Sequence, residues 1–166
     1  MVATQPGIDG LLTTAKLIVC CGPGGVGKTT TAAAMALRAA DEGLRSLVLT
    51  IDPARRLATC LGLDSLGGKP APIEREGREG EMWATMLDTR GTFDDLVDRL
   101  SPDVATAKLI KSSRLYGIFA GSMHGTTEYM ALESLYDAYV SGRFDVIVLD
   151  TPPLTNALDF FNVPDK

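Results

Sequence analysis

A chain of 166 residues, 45% hydrophobic and 22% charged, is long enough to bury the core of one domain and far from the composition of a disordered segment. Its formal net charge of -5 argues against a general nucleic-acid binder, because phosphate backbones are met with basic patches. The apolar runs are too short to cross a bilayer and the N-terminus lacks the charged and apolar regions of a signal peptide, so a cytoplasmic protein without an integral membrane segment is expected.

Residues 1–16 carry Pro6, Gly7 and Gly10 around a small apolar patch and are expected to form a mobile leader with room for one helical turn. Residues 17–166 are expected to form one domain. Leu17 to Cys21 is an unbroken apolar run of strand length. Cys20 and Cys21 read as small core residues of that strand, and with Cys60 they form no C-x-x-C pair, which excludes an evident zinc site or disulfide framework.

The next stretch, Gly22-Pro23-Gly24-Gly25-Val26-Gly27-Lys28-Thr29-Thr30, fits the P-loop pattern G-x-x-x-x-G-K-[ST]. Glycines let backbone N–H groups wrap a polyphosphate, the lysine reaches the terminal phosphates, and the hydroxyl of Thr29 serves a magnesium ion. Thr30 to Asp41 is alanine-rich and helix-prone, so strand, loop and helix follow in the order this chemistry needs. The helix N-terminus adds open N–H groups and a positive dipole end to the phosphate site.

Gly43 is placed to end that helix, and Ser46 to Ile51 is a second buried strand, which makes a βαβ unit and implies a parallel sheet. Asp52-Pro53-Ala54-Arg55-Arg56 leaves its carboxyl end, where such sheets place ligands. A short helix within Leu57 to Leu63 precedes a polar, Gly- and Pro-rich excursion, and Met82 to Leu87 resumes as a strand. Helical spacing then marks Thr92 to Leu100 and a helix opened by Pro102 and running to Leu115. Gly117 to Gly125 reads as a loop holding His124, a structural residue on the plainer reading. From Thr126 to Val140 the positions Tyr129, Met130, Leu132, Leu135, Tyr136 and Tyr139 predict a helix with a core-facing stripe. Phe144 to Leu149 is a further buried strand, closed by Asp150. A carboxylate ending an apolar strand in a chain with a P-loop is the expected Walker B acid, holding the magnesium water shell beside Thr29.

These motifs together, with Thr50-Ile51-Asp52-Pro53-Ala54 and Asp150-Thr151-Pro152-Pro153 followed by Asn156-Ala157-Leu158-Asp159-Phe160, resemble the ArsA-type anion-transporting ATPases, relatives of the MinD and ParA group. The Thr-Pro-Pro variant and the segment Glu128 to Glu133 are similar to the family's actinobacterial branch. The resemblance implies an α/β P-loop NTPase fold, here a mostly parallel sheet of about four strands flanked by helices in three layers. It also implies ATP and Mg2+ as cofactors, with ATP over GTP resting on the resemblance alone. Gly22, Gly24, Gly25, Val26, Gly27, Lys28, Thr29 and Thr30 would hold the nucleotide. Thr29 and Asp150 would hold magnesium directly and through water, Asp52 in switch I would orient the attacking water, and Thr151 to Pro153 would open switch II.

Two departures stand out against that family. Its P-loop usually carries a lysine where this chain has Pro23, and that lysine reaches a partner subunit's nucleotide. Arg55 and Arg56 are candidate substitutes, against the plainer reading that paired arginines after a strand are solvated. Family members also continue well past the position of Lys166, so an N-terminal portion is expected. The leading reading is a magnesium-dependent ATPase whose hydrolysis drives a dimer, homodimeric or paired with a related subunit. The alternatives are a weakly catalytic regulatory subunit, which Pro23 favours, and a P-loop small-molecule kinase.

Overall fold

Every apolar run singled out as a strand lies in one sheet. The computed structural model describes residues 7–74, 77, 79–117 and 126–153. Within them β1 (Leu17–Cys20), β2 (Arg45–Thr50), β3 (Ala71–Pro72), β4 (Glu81–Met86) and β5 (Val146–Asp150) form a five-stranded sheet in the order β1-β5-β2-β4-β3. The strands β1, β5, β2 and β4 are parallel, as the βαβ reading requires. A fifth, two-residue strand adds to the expected sheet of about four. Ala71 and Pro72, inside the polar excursion, pair antiparallel with Ala84 and Trp83 at the edge, a position where proline's missing N–H can face solvent.

Helices cover both faces. They are α1 (Ile8–Thr14), α2 (Lys28–Asp41), α3 (Arg56–Cys60), α4 (Thr89–Leu100), α5 (Val104–Ser112) and α6 (Thr126–Val140). Side chains alternate across a strand, so β2 and β5 feed two cores at once. Val48, Val146 and Val148 pack with Ala32, Ala33, Ala36, Ala39 and Ala40 of α2 on one face. Leu47, Leu49, Ile147 and Leu149 meet Ala131 and Leu135 of α6, with Phe144, on the other. The alanine row lets α2 lie close on the sheet. Past its end Gly43, at φ 83°, donates to Ala40 O and Leu44 to Ala39 O, which turns the chain into β2.

Three expectations change. The leader is not free along its length: Ile8–Thr14 is helical, and Leu12, 1% exposed, is part of the core against α2. A single leucine offered at helical spacing to an alanine-lined face gains burial that a mobile segment would forgo. The stripe on α6 is only partly core. Met130 and Leu135 are buried, whereas Tyr129, Tyr136 and Tyr139 are 49%, 59% and 53% exposed. The apolar set is wider than the arc that one sheet covers, and phenol rings tolerate water at their polar tips. Cys20 and Cys21 are half-buried, and Cys21 lies just past β1. His124 and Asn156 to Phe160 lie outside the described residues.

Elsewhere the helix starts follow local chemistry. Asp88 caps α4 by accepting from Gly91 N at 2.9 Å, and Asp103 caps α5 by accepting from Thr106 N at 2.8 Å. No helix among the described residues is long and apolar enough to cross a membrane.

Candidate functional site

Parallel pairing brings three carboxyl ends side by side. Cys20 is in register with Asp150, and Asp150 with Thr50. The segments that leave β1, β2 and β5, namely the P-loop, Ile51 to Arg56 and Thr151 to Pro153, therefore emerge together at one end of the sheet, the position where such folds bind ligands.

In the P-loop, Gly25 at φ 80° and Gly27 at φ 92° adopt the left-handed region that side chains disfavour. Gly27 is also the N-cap of α2 and brings no side chain to the first N–H groups, which leaves them open to an anion. Lys28 Nζ donates to Pro23 O at 2.9 Å, so its ammonium lies over the loop. A side chain added at Gly24 would meet Pro153 at ordinary van der Waals distance, so the first loop lies beside the third. The third loop is tied down in turn by Thr151 Oγ1, which donates to Cys20 O at 2.9 Å.

An open cleft of about 730 Å³ lies against this loop, lined by Gly25, Gly27, Lys28, Thr29 and Thr30 on one side and by Arg55, Arg56, Thr59 and Cys60 on the other. Its size suits a small organic ligand. The wall is cationic: Lys28, Arg55 and Arg56 all face it. The plain reading of the arginine pair as merely solvated is thus incomplete, since both are exposed but line the cleft opposite the P-loop.

The two acids stand behind the cleft and do not line it. Asp150 is fully buried. Its Oδ2 accepts from Thr50 Oγ1 at 2.9 Å, while Oδ1 has no hydrogen-bond partner among the described residues. Burial pushes its carboxyl above the usual range, against the opposing pull of the Thr29 and Thr50 hydroxyls and of Lys28. A buried carboxylate oxygen left open beside Thr29 and Lys28 suits a hard, oxygen-seeking divalent cation such as magnesium. Among the described residues no cluster of three or more His, Cys, Asp or Glu could hold a metal alone. Such a cation would complete its shell with water or with oxygens of a ligand.

Asp52 is fixed from three sides. Its N–H donates to Thr50 Oγ1 at 3.2 Å, its Oδ1 accepts from Ala54 N at 2.9 Å, and its Oδ2 pairs with Arg56 at 3.2 Å. Thr50 thus joins both acids, a role that its place in an apolar strand did not announce. A buried threonine at the last position of a central strand was the available signal. Arg56 is the other residue whose part appears only in three dimensions.

Comparison with known proteins bears on the class. The sequence profile of the anion-transporting ATPases matches residues 15–166. An uncharacterized protein of Streptomyces coelicolor is 32% identical over 152 residues, covering 91% of this chain and 37% of that protein. ATPase ASNA1 homolog 1 of Paramecium tetraurelia is 30% identical over 156 residues, covering 92% of this chain and 44% of its own length. ATPase GET3C of Arabidopsis thaliana is 29% identical over 166 residues, with 90% and 41% covered. The chain spans less than half the length of each of these relatives. The P-loop set on a mostly parallel sheet and the profile match along nearly the whole chain lead to one conclusion: this chain belongs to the ArsA-type anion-transporting ATPase family.

Proposed function

We propose that this chain binds ATP with magnesium at the P-loop and hydrolyses it, and that hydrolysis switches a dimer, of two copies or of this chain with a related subunit, between two states. The observation that carries the reading is the convergence of Lys28, Thr29, Asp52 and Asp150 on the ends of three adjacent parallel strands. Phosphoryl transfer asks for positioning and charge neutralisation more than for covalent chemistry, and these residue types supply both.

In this reading the open N–H groups at Gly25, Gly27 and the start of α2 cradle the phosphates. Lys28 exchanges the Pro23 carbonyl for oxygens of the β- and γ-phosphates. Thr29 would hold magnesium directly and Asp150 through water, and the ion when bound neutralises phosphate charge. Asp52 accepts a hydrogen bond from the attacking water and aligns it with the γ-phosphorus. Loss of that phosphate would be felt by Thr151 to Pro153, which lie beside the P-loop at Gly24.

Phosphate release from magnesium-ATP by the purified chain tests this, with Lys28→Ala as the control. Turnover abolished by the variant and by a chelator is the expected result. Tight binding without turnover is the result that the second reading, a regulatory subunit, predicts. Pro23 is what favours that reading, because no cation stands at this position to reach a partner's nucleotide.

A further inference from the structure

The ion pair between Asp52 and Arg56 couples the water-orienting acid to the open cleft, and nothing in the P-loop pattern anticipates it. Arg56 is the first residue of α3, four residues after Asp52. Its guanidinium forms an ion pair with Asp52 Oδ2 at 3.2 Å, yet its side chain is 63% exposed and lines the cleft with Lys28 and Thr29. An arginine offers five N–H donors in a rigid fork, so one edge can hold a carboxylate while the other meets a phosphate. Asp52 has 16% of its side chain exposed and is held by Ala54 N as well. The carboxylate is therefore the fixed partner of the pair and Arg56 the one able to swing.

The tie continues inward. Asp52 N–H rests on Thr50 Oγ1, and the same hydroxyl donates to Asp150. A continuous polar path thus runs from the buried acid to a cation on the cleft wall, and Arg56 is its outer end. Arg55 lies on the same wall without joining this path.

We infer that Arg56 is a positioning residue that acts in cis: it bridges the terminal phosphate of a nucleoside triphosphate to the carboxylate of Asp52, so that the acid is held in line only when a third phosphate is present. The inference rests on the proposed nucleotide site. It supplies from the same chain a charge that Pro23 does not bring.

The experiment measures ATP and ADP affinity by calorimetry, and kcat and KM for magnesium-ATP, in the whole chain and in R56Q, R56K and R55Q. The expected result for R56Q is a roughly tenfold loss of ATP affinity with ADP affinity changed less than about twofold, and kcat lower by roughly a hundredfold. R56K restores the charge without the fork, so it should recover ATP affinity while kcat stays low. R55Q, at the arginine of the same wall that is not paired with Asp52, should lower affinity for ATP and ADP alike, without the split expected of R56Q. Equal losses for ATP and ADP in R56Q, an unchanged kcat, or the same split in R55Q would each overturn the inference while leaving the ATPase reading intact. A parent chain that binds neither nucleotide would overturn both. Thermal unfolding within about 2 °C of the parent shows that the variants report on the site and not on folding.

Discussion

The hydroxyl of Thr50 lies 2.9 Å from Asp150 Oδ2, so the last residues of two neighbouring parallel strands share one hydrogen bond beneath the P-loop. It is a hydrogen bond to a fully buried carboxylate, and its removal has a foreseeable cost. Thr50→Val, which keeps the shape and deletes the donor, should destabilise the fold by about 1–3 kcal/mol. Urea unfolding checks this, and Thr50→Ser should recover much of the loss.

Lys28→Ala removes the ammonium that lies over the loop at 2.9 Å from Pro23 O. The fold should hold, because the residue is only half-buried at the mouth of the cleft. ATP turnover should fall by roughly a hundredfold or more, the scale for deleting one preorganised charge at a developing anion. Steady-state phosphate release beside a thermal unfolding curve separates the two effects.

The thiols should report on the cleft. Burial first, then Asp150 and Cys21, push the Cys20 thiol up to about 11. Cys20 should therefore stay unreactive at neutral pH, since the thiolate is the nucleophile. Cys60 is exposed and lines the cleft. A maleimide should label Cys60 first, and magnesium-ATP should slow that labelling, as read by peptide mass spectrometry. Equal labelling with and without nucleotide would remove the cleft from the site.

Acid sensitivity follows from the strand entrance. Arg45 holds the carboxyl of Asp145 at about 2, mainly through its side-chain hydrogen bonds and its backbone N–H. A carboxylate with a lowered folded-state pKa stabilises the fold above its ordinary pKa, and this contribution is lost as pH falls through the folded value. The urea midpoints of the parent chain and of Arg45→Ala should thus differ at neutral pH and converge between about pH 4 and pH 2. The gap should also narrow in salt, because the pair is solvent-exposed.

Leu12→Ala tests the docking of α1. The side chain is 1% exposed in the core against α2, so its truncation should cost about 2–5 kcal/mol. Ile8, 66% exposed on the same helix, should tolerate alanine with little change in the same denaturation assay.

Much of this protein was legible from one dimension. The runs Leu17–Cys20, Leu47–Leu49 and Val146–Leu149 are continuously apolar because both faces of a parallel sheet are covered, and that burial leaves its mark residue by residue. The short edge strand at Ala71 and Pro72 left none, since its residues are exposed and its only cause is pairing with β4. The tyrosines of α6 misled for the opposite reason: helical spacing records that a face is apolar and not whether a neighbour reaches it.

By itself the sequence determined the P-loop, because glycines at positive φ, a lysine and a helix start are neighbours along the chain and act locally. The tertiary structure alone decided that Thr50 and Asp150, 100 residues apart, would share a proton-bearing contact. It also decided that the path through Asp52 would end on Arg56 at the cleft. Those links depend on which strands lie side by side and on where a loop turns, and the free energy that sets both comes from burying two faces of a sheet at once.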